Sequence, residues 1–199
     1  ALDLKNDKDI QHVLGLAEKS DVIVDNLESG MMDHYGLGYK ALSNANPEIL
    51  AVSITPFGTD GTFASYKATD LVLHHMGGLA HGLIGPVEDP DSEPPVRAGG
   101  HQADLVAGMA AATATMIALY SLRMAGVGCH VTVSSFSAIA TQVIAGLANS
   151  AFGRSTPTRD LSQQKEAAIG GMVAAIGGVL PCNDGYVAIS PREDAQWER

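Results

Sequence analysis

The chain of 199 residues is 46% hydrophobic and 5% aromatic, a composition typical of a globular protein with one sizeable core. Its 22 acidic residues outnumber 12 basic ones and give a net charge of −10, which excludes general binding to nucleic acid or to an anionic membrane surface. Two cysteines exclude a disulfide framework and favour a reducing cytoplasm as the location.

The first half of the chain predicts helices and strands in alternation. After Asn6, a residue type that caps helices, residues 7–19 carry apolar side chains at helical spacing. The β-branched run 21–25 and the apolar run 48–55 predict strands, and a short helix is predicted between them over 38–45. A strand, a helix and a strand at this spacing indicate a parallel βαβ unit with a right-handed crossover, and hence an α/β fold.

Asn26 directly follows the first predicted strand, and a turn over residues 56–58 follows the second. Ligands of parallel sheets bind at the carboxyl ends of the strands, so both positions are placed to line a site. An asparagine in such a turn also bonds its own backbone, and this alternative stays open. Lys67 lies in the glycine-punctuated loop that comes next, where most lone lysines are solvated surface residues.

The most distinctive stretch covers residues 94–124. Two prolines are followed by Gly99 and Gly100, a pair suited to unusual backbone angles, and then by Asp104, after which residues 105–122 carry no charge. About 20 apolar residues would be enough to cross a bilayer. The many alanines and other small residues favour instead a tightly packed, buried helix of a soluble protein.

Asp104 has two interpretations. A carboxylate in the first turn of a helix accepts hydrogen bonds from free backbone N–H groups and lies at the positive end of the helix dipole, so it can serve as an N-terminal cap. It can equally serve as a nucleophile, because a carboxylate beside a flexible glycine loop can attack an activated acyl carbon and form a mixed anhydride. Both roles need the same geometry, so spacing does not separate them.

The second half of the chain continues the α/β pattern. Residues 130–135 predict a strand, and apolar positions over residues 136–147 predict an amphipathic helix. The stretch 153–178 turns polar and then glycine-rich and is interpreted as a mobile loop or linker. Residues 179–190 predict two short strands joined by an Asn-Asp-Gly turn, a strong hairpin signal.

These patterns suggest a division into domains. We expect a large domain over residues 1–152, a linker over residues 153–178, and the start of a smaller domain over residues 179–199. The chain begins without methionine and stops just after the entry to a new element, so we expect it to be part of a longer protein.

The residues contain no motif of a metal site or of a common hydrolase. The histidines, His101 among them, have no metal-ligand spacing and the cysteines form no pair, so we predict no metal. A G-x-S-x-G elbow, a P-loop and a G-x-G-x-x-G motif are absent. The residues by themselves support a soluble α/β protein with one candidate carboxylate site at Asp104.

Five stretches, taken together and in order, carry a family resemblance. They are ALDLK at residues 1–5, the stretches 20–42 and 46–72, PPVRAGGHQADLVAGMAAA at residues 94–112, and the late stretch 177–190. They cover nearly all of the chain and resemble the class III CoA-transferases, which include formyl-CoA transferase, carnitine CoA-transferase, bile-acid-inducible transferases and the related α-methylacyl-CoA racemases. The resemblance implies a Rossmann-like fold with a further N-terminal portion, assembled as an interlocked homodimer.

The resemblance also implies a reaction and a site. Asp104 matches the family's catalytic aspartate, which attacks the thioester of a donor acyl-CoA and holds the acyl group as a mixed anhydride while CoA leaves as a thiolate. A small carboxylic acid then collects CoA, so the implied partners are an acyl-CoA and such an acid, with coenzyme A as the cofactor. Lys5, Asn26 and Lys67 match positions that contact CoA in the family, and Arg97 lies close by in the sequence.

Three departures from the family pattern qualify this assignment. His34 stands where transferases of the formyl-CoA type have an arginine that contacts the ligand. The glycine-rich loop that covers the site in those enzymes is echoed only by Gly170 and Gly171. Thr69 stands where the racemases carry a histidine base, which favours transfer over racemisation because proton abstraction needs a base. An acyl-CoA racemase and a non-catalytic fragment or scaffold subunit stay as alternatives.

Overall fold

The computed structural model describes residues 1–83, 87–153, 159–160, 168–169, 172–173 and 178–189. The chain forms two compact units, the first of residues 1–83 and 96–143 and the second of residues 84–95 and 144–199. The first unit contains a parallel sheet with helices, which confirms the predicted α/β class. The domain borders predicted at residues 152 and 178 stay a prediction.

The sheet of the first unit has three parallel strands. They are β1 (Val22–Asp25), β2 (Leu50–Thr55) and β3 (Cys129–Ser134), in the spatial order β1-β2-β3. Asp25 pairs with Ser53 across β1 and β2, and Ala51 pairs with His130 across β2 and β3. The parallel pairing of β1 with β2 confirms the predicted βαβ unit, and the strands end within two residues of the predicted bounds.

Seven α-helices of the first unit surround and connect the strands; they are α1 (Asp7–Ala17), α2 (Met31–His34), α3 (Tyr39–Ala45), α4 (Asp70–Met76), α5 (Leu79–Leu83), α6 (Gln102–Ala125) and α7 (Ser135–Ala140). The first of them begins as predicted, because the Asn6 side chain accepts the Lys8 N–H at 3.1 Å. The predicted helix over 136–147 is interrupted by a 3-10 turn at Thr141–Val143. There the Thr141 hydroxyl bonds the Ala138 carbonyl at 2.6 Å, a local bond that competes with regular helix.

The two faces of the sheet are covered by different helices, because successive residues of a strand point to opposite faces. On one face Ala51 and Ile49 pack with Ala17 of α1 and Leu42 of α3. On the other face the next residue, Val52, packs with Val133 and Ala111, which belongs to α6. The strand β2 is buried along almost its whole length, so it forms the centre of the core.

Only one face of α6 is buried, and this corrects the expectation of a tightly packed interior helix. Its buried residues are all alanines, at positions 103, 107, 111 and 118. The opposite side, called here the outer face of α6, is apolar and exposed and consists of Leu105, Met109, Met116, Ile117, Tyr120 and Met124. Small side chains let the helix approach the sheet closely, and the large ones are left on the other side. Among the described residues, α6 is also the one helix long and apolar enough to cross a membrane.

The described residues of the second unit form one further helix and two antiparallel strand pairs. The helix α8 (Ile144–Ala151) is followed by the short pair β4 (Ala168–Ile169) and β5 (Met172–Val173). These two strands lie within the stretch 153–178, and its assignment as a linker stays a prediction. Gly170 and Gly171 lie outside the described residues. The last pair, β6 (Gly178–Cys182) and β7 (Gly185–Ile189), confirms the predicted hairpin.

Candidate active site

Asp104 lies in the first turn of α6, as its third residue, and its side chain is 61% exposed. The turn packs on an apolar cluster, in which Ala103 of α6 contacts Leu73 of α4 and Ile139 of α7. Burial of Ala103 on one side therefore leaves its neighbour Asp104 directed to the solvent. A nucleophile has to be reachable by its substrate, and Asp104 meets this condition.

Asp70, and not Asp104, caps the N-terminus of α6. One oxygen of the Asp70 side chain, Oδ1, accepts the Ala103 N–H at 2.8 Å and the Asp104 N–H at 3.3 Å. No side chain of α6 itself or of His101, the residue before it, makes a capping bond. The interpretation of Asp104 as the N-terminal cap is therefore wrong. The capping carboxylate comes instead from the first residue of α4, which leaves both oxygens of Asp104 free from that task.

Arg97 links the capping carboxylate to the glycine loop. Its Nε lies 3.3 Å from Asp70 Oδ2, and its guanidinium also donates to the Gly100 carbonyl. The Asp70 side chain is only 6% exposed, so the positive charge of Arg97 offsets the cost of burying a carboxylate. Gly100 has a φ of 79°, in the left-handed region that glycine adopts at little cost, as the Gly-Gly pair predicted.

His101 is the second side chain next to Asp104. Its Nδ1 lies 3.3 Å from Asp104 Oδ2, and both groups are exposed. Asp70, His101 and Asp104 each place one potential metal-ligand atom within 4.8 Å of the others. Arg97 already supplies the positive charge beside the buried member of this group. The sequence did not foresee the cluster, and the expectation that no metal binds stays a prediction.

Of the residues predicted to contact CoA, Asn26 lies directly at the carboxyl end of β1. Asn26 is exposed there and lines a pocket of about 260 Å³ together with Leu4, the neighbour of Lys5. His34 is exposed in the last turn of α2, where its ring meets that of Tyr35 edge to face. Arg97 does not join this group, since it lies beside Asp70 in the turn before α6.

Lys67 makes an ion pair that the sequence did not predict. Its Nζ lies 2.7 Å from Glu28 Oε1, and both side chains are largely exposed. Glu28 lines a second cleft, of about 310 Å³, which shares Asp25 and Leu27 with the first one. The structure therefore brings Lys67 to the turn that carries Asn26, although 41 residues separate them in the sequence.

A hydrogen-bonded chain of three side chains crosses the sheet in this second cleft. The buried Ser53 hydroxyl donates to Asp25 Oδ2 at 2.6 Å and lies 2.9 Å from His130 Nε2. A hydroxyl has one proton, so Ser53 must accept its second bond, and His130 carries a proton on Nε2. The other oxygen of Asp25 accepts the Leu27 N–H at 3.2 Å, which fixes the turn around Asn26.

Comparisons with known proteins show the family of the chain. The profile of CoA-transferase family III matches residues 1–199. The chain belongs to CoA-transferase family III. It is 31% identical to the succinyl-CoA:(R)-benzylsuccinate CoA-transferase subunit BbsE of Thauera aromatica over 95% of its length, and 32% identical to the succinyl-CoA:glutarate CoA-transferase of Mus musculus over 99%.

Further relatives of this family III chain show what share of their length the chain spans. It is 35% identical to the acetyl-CoA:oxalate CoA-transferase of Acetobacter aceti over 68% of its length. A CAIB/BAIF family protein from Brucella suis superimposes on 98% of the chain with a TM-score of 0.74 and 26% identity. The chain spans 34% of the Acetobacter protein, 42% of each of the Thauera and Mus proteins, and 49% of the Brucella structure.

The polar chain from Asp25 to His130 gives a first prediction for this family III protein. Changing Ser53→Ala should lower the free energy of unfolding by about 1–3 kcal/mol, because the partly buried Asp25 loses a hydrogen-bond donor and His130 loses the acceptor of its Nε2 proton. The control is Ser43→Ala, whose hydroxyl donates to the Lys40 carbonyl within α3 and whose loss should cost less than about 0.5 kcal/mol. Urea unfolding of both variants measures the difference, and equal midpoints would contradict the role given to Ser53.

Proposed function

We propose that this protein is a CoA-transferase that moves CoA from an acyl-CoA to a carboxylic acid, with Asp104 as the nucleophile. The observation that carries the proposal is that the two carboxylates at the start of α6 have different surroundings. The buried carboxylate of Asp70 caps the helix, so the exposed carboxylate of Asp104, which lies 3.3 Å from the exposed His101 ring, is not needed for the cap. Membership of CoA-transferase family III supports the reaction class.

The proposed reaction uses Asp104 as a temporary acyl carrier. A carboxylate oxygen of Asp104 attacks the thioester carbonyl carbon of the donor, the C–S bond breaks, and CoA leaves as the thiolate. The thiolate then attacks the aspartyl carbonyl of the anhydride, which releases the donor acid and leaves CoA on Asp104 as a thioester. The acceptor carboxylate displaces CoA to form a second anhydride, and the thiolate attacks its acyl carbon, which regenerates Asp104. No net proton is taken up or released.

The proposed CoA site lies at the carboxyl end of β1. The residues assigned to it are Lys5, Asn26, His34 and Lys67. The pocket lined by Leu4 and Asn26 supports Asn26 and the neighbouring Lys5, and the ion pair with Glu28 brings Lys67 to the same turn. The protein is acidic overall, so its lysines have to supply the positive charge that phosphates require. Arg97 is assigned here to the acyl end of the ligand instead, because it lies in the turn that precedes Asp104.

A small dicarboxylic acid is the acceptor class we propose. Three relatives are named for oxalate, glutarate and benzylsuccinate, and each of these is a dicarboxylate. A second carboxylate needs a cationic partner in the site, and Arg97 is 37% exposed on its side chain beside Asp104's turn. The proposed working form is a homodimer, as the family resemblance implies, and the proposed location is the cytoplasm, which the two cysteines favour.

The proposal is tested by mass spectrometry of the protein after incubation with acyl-CoA donors. Acetyl-CoA, succinyl-CoA and formyl-CoA are offered one at a time, and hydroxylamine is then added to convert any anhydride on Asp104 into a hydroxamate. We expect a hydroxamate in the peptide that contains Asp104, and the donor that produces it identifies the acyl group. A folded protein that binds CoA but forms no adduct with any donor would contradict the proposal and favour a scaffold role.

The ion pair of Lys67 leads to a second prediction, with two variants that act in opposite directions. If the CoA phosphates compete with Glu28 for Lys67, then Lys67→Ala should weaken CoA binding about fivefold, and Glu28→Gln should strengthen it about twofold. Titration calorimetry with CoA measures both. Lys19→Ala, which removes an exposed lysine just after α1, is the control and should leave the affinity unchanged. Weaker binding in both test variants would show that the pair acts as a unit.

A further inference from the structure

Asp70 is the most buried carboxylate near the candidate nucleophile, and its contacts point in two directions. Towards α6, its Oδ1 accepts the N–H groups of Ala103 and Asp104. Towards the preceding turn, its Oδ2 faces the guanidinium of Arg97 at 3.3 Å. A single side chain therefore joins the first residue of α4, the turn before α6 and the backbone of Asp104 itself.

We propose that Asp70 is a positioning residue that fixes the backbone of Asp104 at the point from which its carboxylate attacks. This inference rests on the proposed function and deepens it. Asp70 is not a catalytic residue in this scheme, because its bonds go to backbone amides and to Arg97 and leave the acyl group to Asp104. Its contribution is the location of the Asp104 Cα, from which the side chain extends to its substrate.

Burial gives these bonds their effect. The Asp70 side chain is 6% exposed, so water does not compete well for its oxygens, and its bonds to amides are stronger than they would be at the surface. Oδ2 makes no hydrogen bond within the described part of the chain, and the charge of Arg97 is what stabilises it. Removal of Asp70 would free two amides of α6 and deprive Arg97 of its partner at the same time.

The effect on the reaction follows from how strongly acyl transfer depends on geometry. A misplacement of about 1 Å at a reacting group can cost on the order of a hundredfold in rate, because the attacking atom and its target must meet in line. The CoA part of the donor is assigned to groups at the carboxyl end of β1, whereas Asp70 contacts α6 and Arg97. The test donor is acetyl-CoA, because its acyl group has no second carboxylate that Arg97 could bind. With this donor, loss of Asp70 should lower the rate of acylation and leave the affinity for the donor almost unchanged.

Two variants of Asp70 separate its charge from its acceptor oxygen. In Asp70→Asn the amide oxygen can still accept the two N–H groups, but the charge that faces Arg97 is lost; Asp70→Ala removes both. We expect the single-turnover rate of Asp104 acylation, measured by intact mass, to fall about tenfold in the first variant and about a hundredfold in the second. The KM for the donor should stay within about twofold in both.

The matched control is Asn6→Ala, which removes a side-chain cap of the same kind from α1. It should lower the melting temperature without changing the acylation rate. The proposal is overturned if folded Asp70→Ala acylates at the wild-type rate, or if its KM rises in proportion to the loss of rate. If Asp70→Ala does not fold, Asp70→Asn decides alone, and a wild-type rate in that variant overturns the proposal.

Failure of the proposed function is recognised separately. A wild-type protein that is never acylated contradicts the role of Asp104, but the positioning role can still be tested by hydrogen exchange. The amides of Ala103 and Asp104 should exchange at least about tenfold faster in Asp70→Ala than in the wild type, because both lose their acceptor. Unchanged exchange at both amides would overturn the positioning role whatever the activity.

Discussion

Replacement of Asp104 by alanine should abolish CoA transfer while leaving the protein folded. The variant lacks the only group placed to receive the acyl chain in the proposed reaction, so the rate should fall by at least about a thousandfold, with no hydroxamate at this peptide. The free energy of unfolding should change by less than about 1 kcal/mol, because Asp70 caps α6 and Asp104 contributes only its favourable charge near the helix terminus.

The control for this variant is Asp7→Ala, which removes an exposed carboxylate from the first turn of α1, as Asp104→Ala does from the first turn of α6. Its effect on stability should be similar to that of Asp104→Ala, and its transfer rate should equal the wild-type rate. Transfer that survives in Asp104→Ala would place the nucleophile elsewhere. A loss of transfer in both variants would indicate a general effect of charge rather than a nucleophile.

Replacement of Gly128 by alanine should have the largest effect on stability. Gly128 precedes β3, and its N–H donates to the Pro47 carbonyl at 3.0 Å, so its backbone lies against the start of β2. A Cβ added here would overlap the carbonyl oxygen of Ile49 and come within 2.8 Å of the Glu48 carbonyl carbon. Both are backbone atoms and cannot turn away as a side chain could. We expect a loss of about 3 kcal/mol and a fall of about 10 °C in the melting temperature.

Gly15→Ala is the matched control for this substitution. Gly15 lies in α1, and a Cβ there would meet no atom within 4 Å. The change should stabilise the protein by about 0.5–1 kcal/mol, because alanine loses less conformational freedom than glycine when a helix forms. Calorimetric scans of both variants provide the comparison. A Gly128→Ala protein that melts at the wild-type temperature would mean that β2 and β3 can move apart at this end without cost.

The sequence predicted the first unit well where local pattern decides structure. The apolar run at β2 is buried as expected, the cap at Asn6 is made, and β1 and β2 are parallel. The same is true of the hairpin of β6 and β7, since a two-residue turn constrains both of its strands. Each of these elements is determined mainly by residues that are close together in the chain, so the spacing of residue types is enough to predict it.

The candidate site was predicted only in part, because its contacts join distant residues. Asp70 and Asp104 are 34 positions apart, and no helical or strand period relates them. An aspartate at the start of a helix predicts a cap for its own helix, yet Asp70 caps another. Ser53 could have been noticed as a polar residue inside an apolar strand, but its partner His130 lies 77 positions away and only the parallel register brings them together.

The exposure of the outer face of α6 was not predicted, for a different reason. Alanine content correctly predicted that the helix packs closely on its neighbours, but it does not say how much of the circumference is covered. The buried alanines recur every four residues and then seven, which is one stripe, and the large apolar residues fall between these positions. The mean hydropathy of residues 105–122 does not distinguish one side of the helix from the other, so it overestimates how much of the helix is buried.

Because Asp70 caps α6, a substitution at position 104 can change the reaction with little effect on the stability of the fold. If the nucleophile also capped the helix, each substitution of that residue would lower both the reaction rate and the stability of the fold. Here the residue at position 104 can vary with little loss of structure, because the amides of α6 are held from α4. A lineage carrying this arrangement can therefore try new reactions, or abandon catalysis and keep the folded surface for binding, through single changes at one exposed position.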